Sequence, residues 1–500
     1  MMNDIQDCIL STAQMARADQ LTIADLHKQG RSGSDLMEEA GLTVVREITK
    51  NYSGRRVLVL CGPGNNGGDG FVVARYLKEA GWIVDVALLG AAENLQGDAY
   101  HMAKLWGDDV LPLNANVIVD HGVIVDAIFG TGLSKEISGA LRDVLEKVNE
   151  AQSAKIAVDI PSGVKGDTGE ILGVAFKADH TVTFCRKKPA HLLYPGRAQC
   201  GKVIIADIGI SNRTILEVEP DIFKNNPKLW LGQFPQRQNS GHKYNSGHAV
   251  VVSGDLTHTG ASRLAAIAAL RIGAGLVSVS SPENAFIAHA AHLTSVMIRD
   301  RKKLEEDLND SKLNAWCIGP ASGISQESRK NVLEIIAAGK SIVIDADAFS
   351  VFENEPRNLF DAINAREEAW CVLTPHAGEF ACVFPYLKKL DKITAARNAA
   401  KLSGAVVLYK GADTVIASPD GRCVISDNGP STLATAGSGD VLSGLITGLL
   451  AQSMPPFEAA CAAVWVHGEC ANEFGPGLIS EDLEKHIPSV LRRLNLGADR

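Results

Sequence analysis

The sequence predicts an α/β protein of two domains, and three observations predict it. A chain of 500 residues exceeds what one hydrophobic core ordinarily serves. Short apolar runs alternate with helical periodicities along most of its length, the pattern of doubly wound sheets covered by helices. Polar and glycine-rich loops punctuate the ends of those runs in both halves, where open α/β sheets bind ligands. The 47 glycines against 5% aromatic residues fit many tight strand-to-helix turns. A net charge of −9 argues against a nucleic-acid binder working through bulk attraction, yet leaves room for a phosphorylated small molecule in a local nest of amides.

The ten cysteines are scattered, with no C-x-x-C and no Cys/His spacing suited to zinc, and several fall inside apolar strand-like runs and read as buried thiols. The N-terminus lacks a charged-then-apolar signal pattern, and no run approaches bilayer-spanning length. A reducing, cytoplasmic setting is the expectation.

Helical spacing runs over residues 12–28 and 34–50, with Leu36, Met37, Ala40, Val44, Val45 and Ile48 on one face. A buried strand over 55–61 enters Gly62-Pro63-Gly64-Asn65-Asn66-Gly67-Gly68-Asp69-Gly70, and a helix is expected from near Phe71. The loop satisfies G-x-G-x-x-G, but the acid beyond it, Asp85, falls inside the next strand and not at its end. Two carboxamides and a carboxylate among glycines either coordinate a cation, hold a polar ligand, or form a structural turn. Further strands are expected over 83–89, 123–128, 155–160 and 179–185, two of them followed by DAIFGTGL (126–133) and DIPSG (159–163).

The order GNNGGDG, DAIFGTG, DIPSG, after an LMEEAG helix (36–41), resembles the NAD(P)H-hydrate epimerase family, the YjeF N-terminal domain, over residues 10–215. The resemblance implies that Asn65, Asn66, Gly67, Gly68 and Asp69, with Gly130, Thr131, Gly132, Leu133, Ser134, Lys135 and Glu136, touch substrate. It makes Asp159 the acid/base residue and has Asn66, Asp126 and Ser162 supply oxygens to K+.

Residues 217–242, with Pro220, Pro227 and Pro235 and little periodicity, read as the linker between domains at 1–216 and 243–500. A second α/β series follows: strands over 247–253, 274–280, 315–319, 341–345, 370–373 and 405–409, with a helix over 259–273. Its loops carry Gly319–Gly323, Asp345–Ala348, Thr374–Phe380 and Lys410–Thr414. The series ends in NGPSTLATAGSGD before the apolar helix pattern VLSGLITG. A glycine turn entering a helix leaves amides unpaired at the positive end of the helix dipole, an anion site. Asp440, in that first turn, either caps it or takes a proton from a hydroxyl about to be phosphorylated.

TGASRLAAIAALRIGAGLV, TPHAGEF, YKGADTVI and NGPSTLATAGSGDVLSG resemble, over 243–493, the ribokinase-like superfamily and within it the ADP/ATP-dependent NAD(P)H-hydrate dehydratases. By that resemblance Lys410, Gly411, Ala412, Asp413, Thr414 and Gly439 hold ADP with Mg2+, and Ala261, Gly323, His376 and Asp440 face the hydrate. Three departures stand out: His242-Lys243-Tyr244-Asn245 where the family has Lys-Gly after its early His, Ser253-Gly254-Asp255 for its Gly-Gly-Ser, and Ala321 at the third place of its Gly-Pro-Gly loop. The implied activity is bifunctional: epimerisation of hydrated NADH or NADPH, then ADP-dependent dehydration. Partners would be small-molecule substrates only, with no nucleic acid or membrane, in a homo-oligomer. The alternative is a small-molecule (vitamin or sugar) kinase with an N-terminal nucleotide-binding module.

Overall fold

Residues 5–53, 56–236, 246–366 and 370–494 are described by the structure, a computed structural model. The chain divides between Ile222 and Phe223 into two compact units.

After a two-residue strand β1 (Cys8–Ile9), the first unit's sheet is built from β2 (Arg56–Cys61), β3 (Ile83–Leu88), β4 (Leu111–Pro112), β5 (Val123–Ala127), β6 (Ala154–Val158), β7 (His180–Phe184) and β8 (Lys202–Ala206). Their order is β4-β3-β2-β5-β6-β7-β8, every pair parallel. Such strands are covered on both faces, which is why β2 and β5 are buried almost throughout and largely apolar, Asp126 being the polar residue inside β5. The order reverses between β2 and β5, so a crevice opens beyond their carboxyl ends.

Two boundaries differ from the sequence expectation. The helix after β2 starts at Asn65 and not near Phe71, because the glycines allow its first turns to lie on the strand ends. A Cβ at Gly67 would stand 1.9 Å from the Gly62 carbonyl oxygen, and one at Gly70 2.7 Å from Ala127 Cβ. Likewise β6 stops at Val158, since Asp159 turns out of the ladder with φ 63°.

The second unit contains β9 (Ile222–Lys224), β10 (His248–Val252), β11 (Leu276–Ser281), β12 (Met297–Asp300), β13 (Ala315–Ile318), β14 (Ser341–Ile344), β15 (Cys371–Leu373), β16 (Val406–Tyr409), β17 (Thr414–Ala417) and β18 (Cys423–Ser426). They run β9-β18-β17-β16-β15-β14-β13-β10-β11-β12. Pairs from β16 through β12 are parallel, and β16-β17-β18 is an antiparallel ribbon, of which the sequence predicts β16 but not β17 and β18. Here the order reverses between β10 and β13.

The stretch read as a linker is folded from Ile222 to its described end. The Trp230 side chain is 1% exposed, its indole N–H donates to Asn225 Oδ1 (3.2 Å), and Asn225 donates to the Cys461 carbonyl (2.8 Å). Residues 242–245, where a departure from the family pattern was noted, lie outside the described residues. All ten cysteines are free thiols, and among the described residues no helix is long and apolar enough to cross a membrane.

One helix pair sets the geometry of this unit. The helix Ser438–Ala451 is buried from Val441 to its end and lies against the helix Gly260–Arg271. A Cβ on Gly444 would stand 2.1 Å from the Ala265 carbonyl oxygen, and one on Gly448 2.6 Å from that of Ala269. Gly444→Val is expected to destabilise the protein by about 1–3 kcal/mol or more through overpacking. Gly232→Ala, at an open position, is expected to change little. The check is the urea midpoint of the second unit's unfolding; equal midpoints for the two variants would refute the seam.

Candidate active sites

In the first unit, Gly62–Gly64 deliver the chain from β2 into the helix Asn65–Glu79, whose first amides face outward as an anion-binding end. Gly130, just past β5, brings the other side of the crevice close. A Cβ there would stand 3.0 Å from Asn66 Oδ1 and 3.4 Å from Asp159 Oδ2, so Asn66, Gly130 and Asp159 meet at one point. Beyond it Thr131 and Gly132 continue the rim. Leu133 packs partly on the core around Phe176, and Ser134, Lys135 and Glu136 are exposed.

Asp159 is held by groups that sequence reasoning missed. Its Oδ1 accepts from Lys188 Nζ at 2.6 Å and from Thr183 Oγ1 at 2.8 Å. The His191 ring nitrogen Nε2 donates to the Asp159 carbonyl (2.9 Å) while Nδ1 accepts from the Lys188 amide (2.9 Å), which fixes one neutral tautomer. Burial, with Lys188 nearby, pushes that imidazole down to about 4. For Asp159, burial works against the charge, but Lys188, His191 and Thr183 outweigh it and hold the carboxyl below its usual range. The other oxygen, Oδ2, faces Gly130.

Two further carboxyls differ. Burial pushes Asp69 well above the usual range, with Asp159 and Asp19 adding repulsion, and burial raises Asp19 to about 6. An ionised Asp159 near a protonated Asp69 divides base and acid between two carboxyls. Nearby, Asp126 accepts from the Ser162 hydroxyl (2.6 Å), the Ser162 amide (2.7 Å) and the Ile128 amide (3.2 Å), and burial raises it to about 6. Asn66 Nδ2 is buried without a partner. Asp85 is not a ribose acid: Arg56 (2.7 Å) and His121 (2.9 Å) occupy it.

In the second unit, Gly437 (φ 86°) turns the chain into the helix Ser438–Ala451, placing Gly439 and Asp440 in its first turn. Burial, then repulsion from Asp345, pushes Asp440 up to about 7; Asp347 and Glu379 add to this and Lys410 opposes it. Lys410, at the end of β16, donates to Asp345 Oδ1 (2.7 Å) and lies 3.6 Å from Glu379. A Cβ on Gly439 would stand 3.6 Å from Lys410 Nζ.

His376 caps the helix Ala377–Val383: its Nδ1 accepts from the amides of Gly378 (2.9 Å) and Glu379 (3.2 Å), and Nε2 lies 3.2 Å from Glu379 Oε1. The loop Gly411–Thr414 is closed by Thr414 Oγ1 donating to the Gly411 carbonyl (2.9 Å). The Asp413 carboxylate is engaged by Lys392 at 2.5 Å, so it shapes the loop, while Ala412 is exposed. Gly323 donates its amide to Asp347 (2.9 Å), and Ala261 sits in the first turn of the helix Gly260–Arg271. Ala321, a departure from the family pattern, takes φ 50°, a conformation suited to the glycine it replaces.

Lys410, Gly439 and Asp440 thus come together with Glu379, the partner of His376, and with Asp345, whose loop the sequence marks but to which it gives no ligand role. The signal for Lys188, and for the Asp345–Lys410 pairing, was weak, because each is one charged residue whose partner is distant in the chain.

A helix N-terminus beside a carboxyl and an ammonium, on a ribokinase-like sheet preceded by a doubly wound domain, marks a two-domain α/β enzyme. Residues 249–489 match the family model described as NAD(P)H-hydrate dehydratase, and residues 33–190 that of the YjeF-related protein N-terminus. The bifunctional NAD(P)H-hydrate repair enzyme Nnr of Moorella thermoacetica is 35% identical over 494 residues, covering 92% of each chain. That of Salinibacter ruber is 33% identical over 525 residues, covering 96% of each. The ADP/ATP-dependent NAD(P)H-hydrate dehydratase of Bacillus subtilis, crystallised with ATP and Mg2+, is 26% identical with a TM-score of 0.48, covering 54% of this chain and 98% of that one. The chain belongs to the bifunctional NAD(P)H-hydrate repair enzymes, which join an epimerase to an ADP-dependent dehydratase.

Removing one member of a buried ion pair leaves the other charge uncompensated, at about 3–5 kcal/mol. Lys188→Met is therefore expected to destabilise the first unit by that amount, and adding Asp159→Asn to recover a large part. A double-mutant cycle on the first unit's denaturation midpoint checks this; strict additivity would show that the pair is uncoupled.

Proposed function

We propose that the first unit, within residues 1–216, exchanges the R and S epimers at C6 of hydrated NADH and NADPH. The second, within 243–500, dehydrates the S epimer with ADP, giving NAD(P)H, AMP and phosphate. The observation that carries this reading is the half-buried Asp440, raised to about 7, in the first turn of a helix whose next residue back, Gly439, is faced by the Lys410 ammonium.

The C6 hydroxyl of the hydrate is a poor leaving group, and phosphate a good one. Asp440 accepts the hydroxyl proton as the C6 oxygen bonds to the β-phosphorus of ADP and the bond to the AMP oxygen breaks. The helix amides and Lys410 stabilise the charge on the moving group. The ring-nitrogen lone pair then expels phosphate from C6, and loss of a C5 proton restores the dihydropyridine. Lys410 and the loop Gly411, Ala412, Asp413, Thr414, with Gly439, hold the nucleotide, whose phosphates would carry Mg2+ to neutralise their charge. Ala261, Gly323 and His376 face the hydrate.

In the first unit Asp159 moves a proton at the C6 oxygen while the ring opens or passes through an iminium, and Asp69 is the neutral donor across from it. Asn65, Asn66, Gly67, Gly68 and the segment Gly130–Glu136 hold substrate. Asn66, Asp126 and Ser162 offer only oxygens, a donor set suited to an alkali cation such as K+. The orphaned atom of Asn66 is Nδ2, a hydrogen-bond donor, which supports a substrate-facing role for that nitrogen and leaves Oδ1 as the atom that would meet the cation. A bound K+ would supply fixed positive charge and hold the loop ends together.

Incubation with mixed NADH-hydrate epimers and ADP, followed by nicotinamide absorbance and chiral separation, tests the reading. Both epimers are expected to disappear as NADH and AMP accumulate. Asp440→Asn should cut NADH recovery by about 100-fold or more while epimer exchange continues. Because Asp440 acts as a base, it must be ionised, so kcat/KM for dehydration should rise with pH through an acid limb near 7. NADH formation unaffected by Asp440→Asn would sink the assignment.

A further inference from the structure

Asp345, just past β14, belongs to none of the residues assigned above to ligand. Its side chain is buried, and its hydrogen bonds run into the dehydratase site. Oδ1 accepts from Lys410 Nζ (2.7 Å) and from the Ala346 amide (2.9 Å); Oδ2 accepts from Ser443 Oγ (2.6 Å). Ser443 lies three residues beyond Asp440 on the same helix, so it stands on the same face. Seen from Gly439, a Cβ would be 3.6 Å from Lys410 Nζ and 3.9 Å from Asp345 Oδ2. One carboxylate therefore ties a lysine from β16 and a serine from the Asp440 helix to the end of β14.

A lysine ammonium rides on a flexible stem with several donors, and unheld it would fold onto the nearest free carboxylate. Within ion-pair distance it has Asp345 and Glu379. We propose that Asp345 is a positioning residue of the dehydratase reaction, holding the Lys410 ammonium beside Gly439 so that it meets the transferring phosphoryl group and stays out of a direct ion pair with Asp440. The inference rests on the reading of Asp440 as the base. Its content is that Asp345 separates a cation that must touch phosphate from a base that must remain free.

The charged neighbours of Asp440 support this arrangement. Asp345, Asp347 and Glu379 repel its ionised form and Lys410 attracts it. Burial keeps the other titratable groups nearby neutral, pushing His467, beside Ser438, down to about 4 and the Cys317 thiol upward. His376 is bonded to Glu379. Neutralising Asp345 removes one repelling charge and releases Lys410 toward Asp440. Both changes favour ionised Asp440, so the acid limb of the rate profile must move to lower pH.

The experiment uses the full chain and compares wild type, Asp345→Asn, Ser443→Ala and Asp440→Asn for dehydration kcat, KM for ADP, ADP affinity by calorimetry, and the pH profile of kcat/KM. Asp345→Asn is expected to lose about 100-fold or more in kcat, the scale of losing one preorganised charge stabiliser. It should weaken ADP binding by less than about tenfold, since Gly411–Thr414 and Gly439 still hold the nucleotide, and shift the acid limb down by roughly one pH unit. Ser443→Ala, which removes one anchor and no charge, should lower kcat by about tenfold with ADP affinity unchanged, and stands in if Asp345→Asn does not fold. If Asp440→Asn retains the wild-type rate, the reading of the base fails. If Asp440→Asn is inactive while Asp345→Asn keeps wild-type kcat and an unmoved acid limb, the positioning role alone is overturned. A loss of ADP affinity matching the loss of kcat/KM overturns it too, as does an unchanged kcat in Ser443→Ala.

Discussion

Gly444 and Gly448 allow the helix Ser438–Ala451 to rest on the backbone of the helix Gly260–Arg271, and the place of Asp440 follows from that contact. Any side chain at Gly444 would overlap a carbonyl oxygen, so the axial distance is set by main chain against main chain. Backbone contacts of this kind are stiff, since the interior is close-packed and has no rotamer to relax. The helix is also buried on every side from Val441 onward, which fixes it as a core element and not as a surface helix free to slide. Its first turn therefore emerges at one depth beneath the ends of the central strands. A phosphate nest and a base need that constancy, because a small displacement of a reacting group costs much of the advantage of orientation.

Both units solve the same electrostatic problem with the same device. A carboxylate just past the end of a parallel strand is anchored through one oxygen by a lysine: Asp159 by the buried Lys188 in the first unit, Asp345 by the half-buried Lys410 in the second. The outcomes differ because the remaining contacts differ. Asp159 keeps its second oxygen toward the crevice, where Asn66 and Gly130 stand, and the lysine holds it ionised despite burial. Asp345 spends its second oxygen on Ser443, so it cannot itself meet a ligand there, and its lysine becomes the exposed partner. In each unit a neighbouring carboxyl left without a lysine of its own, Asp69 or Asp440, has its proton affinity raised by burial. Splitting neighbouring carboxyls in this way lets acid and base roles coexist near neutral pH.

Much of this was legible in the sequence, for a physical reason. Parallel strands buried on both faces write themselves as apolar runs, and close backbone approaches write themselves as glycine, so the strands and the GNNGGDG and GSGD turns could be read directly. The helix at Asn65 was misplaced because glycines, two asparagines and an aspartate resemble a loop in composition, whereas here they serve packing against Gly62, Met37 and Ala127. Residues 222–236 resembled a linker because their ordering comes from Trp230 and Asn225 meeting residues far along the chain. Lys188, and the bond between Asp345 and Lys410, were hidden for the same reason. Lys188 sits in a basic run, RKK, that on sequence alone is indistinguishable from a solvated surface.

Backbone strain marks the same positions. Among the described residues only six non-glycine residues take positive φ, and three of them, Asp159, Ala321 and Ala346, follow strands whose ends border the sites. Each costs on the order of 1–3 kcal/mol and persists only where its surroundings over-determine it. The surroundings are visible. Asp159 is fixed by its amide on the Val182 carbonyl (2.8 Å) and its own carbonyl under His191 (2.9 Å); Ala346 is fixed by its amide on Asp345 Oδ1 (2.9 Å). The strained turn and the anchored carboxylate are thus one construction. An unstrained residue at 159 would stay in the β ladder, where successive side chains alternate between the sheet faces, and its carboxylate would not reach the crevice beyond the strand end. Leaving the ladder one residue early is what turns a sheet residue into a site residue, and the buried lysine holds that exit in place.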